Sequence, residues 1–201
     1  MEKTYSVYAF DFDGTLTTKD TFFAFLGYSV GYAKLVWYLF LLLPSILLLF
    51  LHKITVQEAK EKLFARCFGG MTVDEFNKKS RGFASRNGRL LRRDGIDFIQ
   101  AVSRENRVLV VSASIRNYVS EFLKDCDVEV EATVPEVDAS GRITGKFIGA
   151  NCKGEEKVRR IEKHFPDRQS YKLIAFGDSS GDRQMFAFAD ETHWKPFRKR
   201  D

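Results

Sequence analysis

The chain has 201 residues, 44% of them hydrophobic, which suffices for one buried core plus an insertion and is too short for two unrelated domains. Its cysteines, Cys67, Cys126 and Cys152, are odd in number and widely spaced, excluding a disulfide framework or zinc cluster and pointing to a reducing cytosol. The net charge of +5 is small, and no aromatic stacking pattern or recognition motif accompanies it, so no nucleic-acid partner is expected.

Met1 to Tyr8 carries Glu2 and Lys3 and leads straight into an apolar run, Val7 to Phe10. Without an apolar leader or a small-residue cleavage site, secretion is not expected. The run reads as a buried strand, and it ends in Asp11-Phe-Asp-Gly-Thr15. Two aspartates at i and i+2 after a strand suit phosphoryl transfer: one carboxylate attacks phosphorus while the other handles the proton of the leaving group. Alone, the pair also fits a cation site or a turn.

From Thr21 to Leu51 the only charged residue is Lys34, and Leu35 to Leu51 is uncharged throughout. Seventeen residues lie at the lower edge of a bilayer span, and Pro44 breaks the helix. A single crossing would put Asp11 on one side and the later motifs on the other. Two crossings need about 40 residues. The segment is therefore expected as a helical hairpin that dips into one leaflet or packs on protein, opening an inserted cap. Thr55-Val-Gln-Glu58 and Thr72-Val-Asp-Glu75 are capping boxes that start two more helices, the first ending at Gly69-Gly70. The cap is expected over residues 19–94, all helical, with a catalytic core at 1–18 and 95–201. Arg81, Arg86, Arg89, Arg92 and Arg93 near its end, and Lys195, Arg198, Lys199 and Arg200 at the carboxyl end, form either a solvated face or an attraction for anionic lipid.

Gly95 to Glu105 reads as a helix leading to a second apolar strand, Val108 to Val111, which ends in Ser112-Ala-Ser114. Ile115 to Lys124 suggests a helix, Val128 to Val134 and Arg142 to Ile148 a β-hairpin, and Glu155 to His164 a helix preceded by Cys152-Lys-Gly. Leu173 to Phe176 is a third apolar strand, followed by Gly177-Asp178-Ser-Ser-Gly-Asp182. The strand and helix alternation predicts an α/β fold with a parallel sheet, its ligands at the carboxyl ends of the strands.

These four pieces, in this order, resemble the haloacid dehalogenase superfamily of phosphohydrolases, in the branch with a helical cap between the first and second motifs. The resemblance implies a Rossmann-like sheet and a magnesium-dependent phosphomonoester hydrolase. It makes Asp11 the nucleophile, forming an aspartyl-phosphate, and Asp13 the general acid and base. It places phosphate oxygens on Gly14, Thr15, Ser112, the Ala113 N–H and Lys153. Magnesium would be held by Asp11, the Asp13 carbonyl and Asp178, with Ser179 and Asp182 in support. An aspartate at position 13 favours a phosphatase over the superfamily's ion pumps, which carry threonine there.

The cap is similar in character to that of phosphatidylglycerophosphatase C-like relatives, which implies a lipid phosphomonoester met at the cytoplasmic face of a membrane. Phosphoserine phosphatases are a second likeness, but many of them carry asparagine where this chain has Gly181, and the stretch after Asp20 is apolar. A soluble metabolite phosphatase, and a non-catalytic phospho-ligand binder whose residues 21–51 contact a partner or a second copy, remain as alternatives. His52, His164 and His193 have no ligand spacing.

Overall fold

A computed structural model describes residues 3–198; the expected charges at Glu2, Lys199 and Arg200 lie outside them. Six strands form one sheet in the order β4-β3-β2-β1-β5-β6. They are β1 (Tyr5–Phe10), β2 (Arg107–Ile115), β3 (Glu129–Val137), β4 (Ile143–Ile148), β5 (Tyr171–Gly177) and β6 (Glu191–Trp194). All neighbours are parallel except β4, which returns antiparallel on β3 as the expected hairpin.

Side chains alternate across the central strands with a period of two. Val7, Ala9, Leu109, Val111, Leu173 and Ala175 pack on one face against Ile161 and Met185. Phe10, Val108, Val110, Ile174 and Phe176 pack on the other. Both faces are covered, which is why these strands read as continuous apolar runs rather than alternating ones.

Between β1 and β2 stand α1 (Thr21–Val30), α2 (Tyr32–Leu41), α3 (Leu43–Phe50), α4 (Val56–Phe68) and α5 (Val73–Arg86). Both capping boxes form, Thr55 with Glu58 and Thr72 with Glu75. The apolar stretch is three short helices rather than a two-helix hairpin. Gly31, at φ 86°, turns the chain by 110° between α1 and α2, and Pro44 sits in the first turn of α3. Among the described residues no single helix is long and apolar enough to cross a membrane.

Phe25, Phe64, Phe68, Phe76 and Phe83 form a ring cluster inside these helices. Tyr118 closes it from α7 (Arg116–Phe122). Helix α4 also crosses β4 closely: a Cβ on Gly145, at φ +96°, would stand 2.3 Å from the Ala65 Cβ. The two crossings that join this layer to the sheet run side by side, Thr18 N–H donating to the Leu90 carbonyl at 2.8 Å and Arg92 N–H to the Leu16 carbonyl at 2.7 Å.

The remaining helices are α6 (Arg93–Val102), α8 (Glu155–His164) and α9 (Arg183–Phe188). Helix α6 starts two residues before the expected Gly95, with Asp94 in its first turn, where a carboxylate favours the helix dipole.

Candidate active site

The carboxyl ends of β1, β2 and β5 meet at one edge of the sheet, and the Asp11 N–H donates to the Phe176 carbonyl at 2.8 Å. The strand order reverses there, with β2 on one side of β1 and β5 on the other, the position at which open α/β sheets hold ligands. A cleft of about 400 Å³ opens at this edge, lined by Asp11, Asp13, Gly14, Lys153, Lys157 and Asp178 among others. A larger groove of about 730 Å³ runs along the amino ends of the strands, past Tyr5, Arg107 and Glu129, but among the described residues its acidic groups do not bring three ligand oxygens together as those of the cleft do.

Asp11 is 7% exposed. Its Oδ1 accepts from Lys157 Nζ at 2.5 Å, and the same ammonium reaches Asp182 Oδ1 at 2.6 Å. Burial pushes the Asp11 carboxyl up to about 7, against the pull of Lys157. The ion pairs raise the Lys157 ammonium above its usual range despite burial. Asp182 is fully buried, and its Oδ2 accepts from the N–H groups of Asp178 and Ser179 and from the Ser179 hydroxyl. It therefore holds the loop after β5 in shape while pairing with Lys157.

Lys153 is exposed and lines the cleft. Its stem packs over Gly181, where a Cβ would come within 3.0 Å of the lysine Cε. The lysine ion-paired with Asp11 is thus Lys157, four residues further along and inside α8. The motif spacing pointed at Lys153. What marks Lys157 is its place four residues before Ile161 on the buried face of α8, since a lysine on an apolar stripe needs a charged partner.

Asp13 turns away from this cluster. Its Oδ1 accepts from Thr21 N–H at 2.7 Å and from the Thr21 hydroxyl at 2.6 Å, and its Oδ2 accepts from the Ser114 hydroxyl. Burial, and then the charge of Asp20, raise its pKa, with the hydrogen bonds opposing. A carboxyl held in that way can carry a proton for a leaving group. Thr21 and Ser114 escaped the motif reading, because their service to Asp13 depends on how α1 packs against the end of β2.

Gly14 lines the cleft at φ +76°, and a Cβ there would lie 2.3 Å from Asp178 Oδ2. Ser112 is fully buried, and its Oγ accepts the Ser114 N–H at 3.0 Å; it shapes the loop that presents Ala113 to the cleft. Thr15 is buried, and its Oγ1 has no protein partner.

Oxygens of Asp11, Asp178 and Asp182 lie within 4.8 Å of one another. This is the hard, all-oxygen donor set that magnesium requires. Among the described residues Asp11 Oδ2 and Asp178 Oδ1 accept no hydrogen bond, so these two carboxylates fit the ion best. The Asp13 carboxylate is committed elsewhere, leaving only its main-chain carbonyl for a cation. Arg198 donates to Asp178 Oδ2 at 2.6 Å, and Arg92 donates to the Thr17 carbonyl at 3.0 Å. Both basic runs therefore contribute structural contacts as well as surface charge.

A family model for haloacid dehalogenase-like hydrolases matches residues 8–187. The chain belongs to that family. Protein CicA of Caulobacter vibrioides is 33% identical to this haloacid dehalogenase-like hydrolase over 194 residues, 94% of this chain and 86% of its own. Among solved structures, a Bordetella pertussis Tohama I protein of unknown function superposes with a TM-score of 0.78 at 18% identity, covering 94% and 89% of the two chains. A phosphoserine phosphatase with bound substrate superposes with a TM-score of 0.63, also at 18% identity, covering 96% of this chain and 87% of its own. These likenesses establish the fold of the hydrolase.

Proposed function

We propose that the protein is a magnesium-dependent phosphomonoester hydrolase whose substrate is a lipid phosphomonoester taken from the cytoplasmic face of a membrane. The observation that carries the lipid reading is a second cavity, of about 370 Å³, that shares Asp13, Ala113 and Lys153 with the catalytic cleft. Leu39, Leu42, Ile46, Leu49 and Leu63 line its far side. Hydrocarbon attached to a phosphate in the cleft would leave through this apolar passage.

The outer faces of α2 and α3 support the same reading. Trp37, Phe40, Leu47 and Phe50 are 56%, 58%, 59% and 77% exposed, an apolar display that soluble monomers seldom leave uncovered. A helix pair resting in the headgroup layer would bury it and bring the cavity to the depth of the lipid phosphate.

In the reaction, Asp11 attacks phosphorus along the line of the departing ester oxygen, and its pairing with Lys157 opposes the burial that favours the protonated carboxyl. Asp13, a carboxyl that burial makes a weaker acid, protonates the leaving alkoxide and then, as carboxylate, takes a proton from the water that hydrolyses the aspartyl-phosphate. Lys153 and the Ala113 N–H hold the equatorial oxygens. Asp11 and Asp178 would hold magnesium, which would supply charge neutralisation at the transferring phosphoryl group.

A soluble zwitterionic metabolite such as phosphoserine is the second reading, favoured by Asp20 and Lys60, a carboxylate and an ammonium that both line the second cavity. The test is phosphate release, with magnesium, from phosphatidylglycerophosphate, phosphatidic acid, phosphoserine and sugar phosphates, with Asp11→Asn as blank. Preference for a lipid is the expected result. Preference for a soluble ester overturns the lipid reading. No release from any ester, with phosphate still bound, would leave a phospho-ligand binder.

A further inference from the structure

Lys60 stands where the polar cleft gives way to the apolar cavity. It lies in α4 and is half-buried, and its Nζ donates to the Ala113 carbonyl at 2.6 Å. The ammonium sits over the Phe22 ring at 4.4 Å from the centroid and near Phe147 at 5.9 Å. Among the described residues no carboxylate comes within ion-pair distance of it, although it lines the same cavity as Asp13 and Asp20. An ammonium carries three donors, so the contact with Ala113 leaves two unspent. Burial lowers the Lys60 pKa to about 8, with the charges of Asp13 and Asp20 opposing. A desolvated cation without a paired anion is costly, and an anion arriving with the substrate would offset that cost.

We propose that Lys60 is a specificity-determining residue that binds a second anionic group on the leaving alcohol, between the scissile phosphomonoester and the apolar portion. This rests on the phosphatase reading above and narrows it. The order of chemistry along the cavity is phosphate site, cation, hydrocarbon wall. A glycerophospholipid headgroup that ends in a phosphomonoester and joins its diacylglycerol through a phosphodiester presents the matching order. Phosphatidic acid lacks the middle anion. A phosphorylated amino acid supplies an anion as carboxylate but has no tail. The Ala113 carbonyl sets the location, because Ala113 lines both the catalytic cleft and the apolar cavity and its C=O fixes the ammonium where the two join.

The test compares wild type, Lys60→Met and Lys60→Arg on dihexanoyl phosphatidylglycerophosphate, dihexanoyl phosphatidic acid and phosphoserine, with magnesium. A charge-assisted hydrogen bond contributes about 1.5–3 kcal/mol, or roughly 10- to 150-fold. In Lys60→Met the ratio of kcat/KM for phosphatidylglycerophosphate over phosphatidic acid should fall by about that factor, mostly through KM, and Lys60→Arg should recover part of it. A uniform loss on all esters would overturn the proposal, placing Lys60 on the transferring phosphate or in support of the Ala113 loop. A response confined to phosphoserine keeps the anion subsite and sinks the lipid source.

Binding separates this outcome from failure of the phosphatase reading. Dihexanoyl phosphatidylglycerol carries the middle anion but no phosphomonoester, and should protect Asp11→Asn from thermal unfolding better than neutral dihexanoylglycerol does. The added Lys60→Met change should erase that difference. Equal protection by the two lipids in Asp11→Asn overturns the subsite whatever the activity assays show.

Discussion

Replacing Lys157 by methionine removes an ammonium of which only 3% of the side-chain surface is exposed and strands two carboxylates, Asp11 and Asp182, exposed by 10% and 0%. Methionine keeps the volume, so the loss is electrostatic rather than a cavity. Breaking a buried pair by removing one partner costs about 3–5 kcal/mol. For a chain of this size each kcal/mol moves Tm by about 2–4 °C, so in EDTA the midpoint should fall by roughly 6–20 °C. Magnesium returns positive charge to Asp11 and should close part of the gap. Acid should do likewise, because protonating the stranded carboxyls relieves their repulsion.

The control is Lys153→Met. Lys153 is exposed, so its removal should shift Tm by no more than a degree or two while still slowing phosphate release. Thermal unfolding with EDTA and with magnesium, at pH 5.5 and 8, measures all of this. Equal Tm values for Lys157→Met and wild type in EDTA would refute the reasoning, as would an equally large drop in Lys153→Met.

Further predictions concern Asp11, Gly14 and the apolar face. Asp11 has a folded pKa of about 7 against an ordinary 3.8; a raised acid favours the fold below pH 4 and loses that contribution as pH rises through 7. Without metal, Asp11→Asn should therefore gain on wild type by up to about 4 kcal/mol between pH 4 and 8, read from urea unfolding at each pH; a pH-independent difference refutes it. Gly14→Ala puts a methyl 2.3 Å from Asp178 Oδ2 at φ +76°, so the magnesium concentration for half-maximal phosphate release should rise at least tenfold, and an unchanged requirement would exclude Asp178 as a ligand. Trp37→Ala with Phe40→Ala should weaken sedimentation with anionic phosphatidylglycerol vesicles about 30- to 150-fold, the value of roughly 2–3 kcal/mol of apolar burial. If the wild type ignores vesicles and instead forms a dimer that the same changes dissolve, the face is a contact between copies.

Strands β1, β2 and β5, the hairpin, both capping boxes and helix α8 were legible in the chain because each is written in local terms, such as an apolar run with polar or carboxylate residues after it or a Thr three residues before a Glu; β6, four residues without an apolar run, was not. Asp11, Asp13, Lys153 and Asp178 were legible for the same reason, as each stands at a fixed offset from a strand or helix end, and the structure brings all four to one cleft. The break at Gly31 was not predicted as a sharp turn, since a glycine marks freedom and the 110° angle is set by what α1 and α2 pack against.

Tertiary structure alone decided which lysine meets the nucleophile. Lys153 precedes α8 and Lys157 lies within it, and only the docking of α8 on the sheet buries one and leaves the other in solvent. It alone joined Thr21 and Ser114, 93 residues apart, around Asp13, and set Lys60 against Ala113. Chemistry at a strand end is local and can be read from sequence. Ion pairs and hydrogen bonds between distant elements depend on the geometry between layers, to which no short stretch of chain has access.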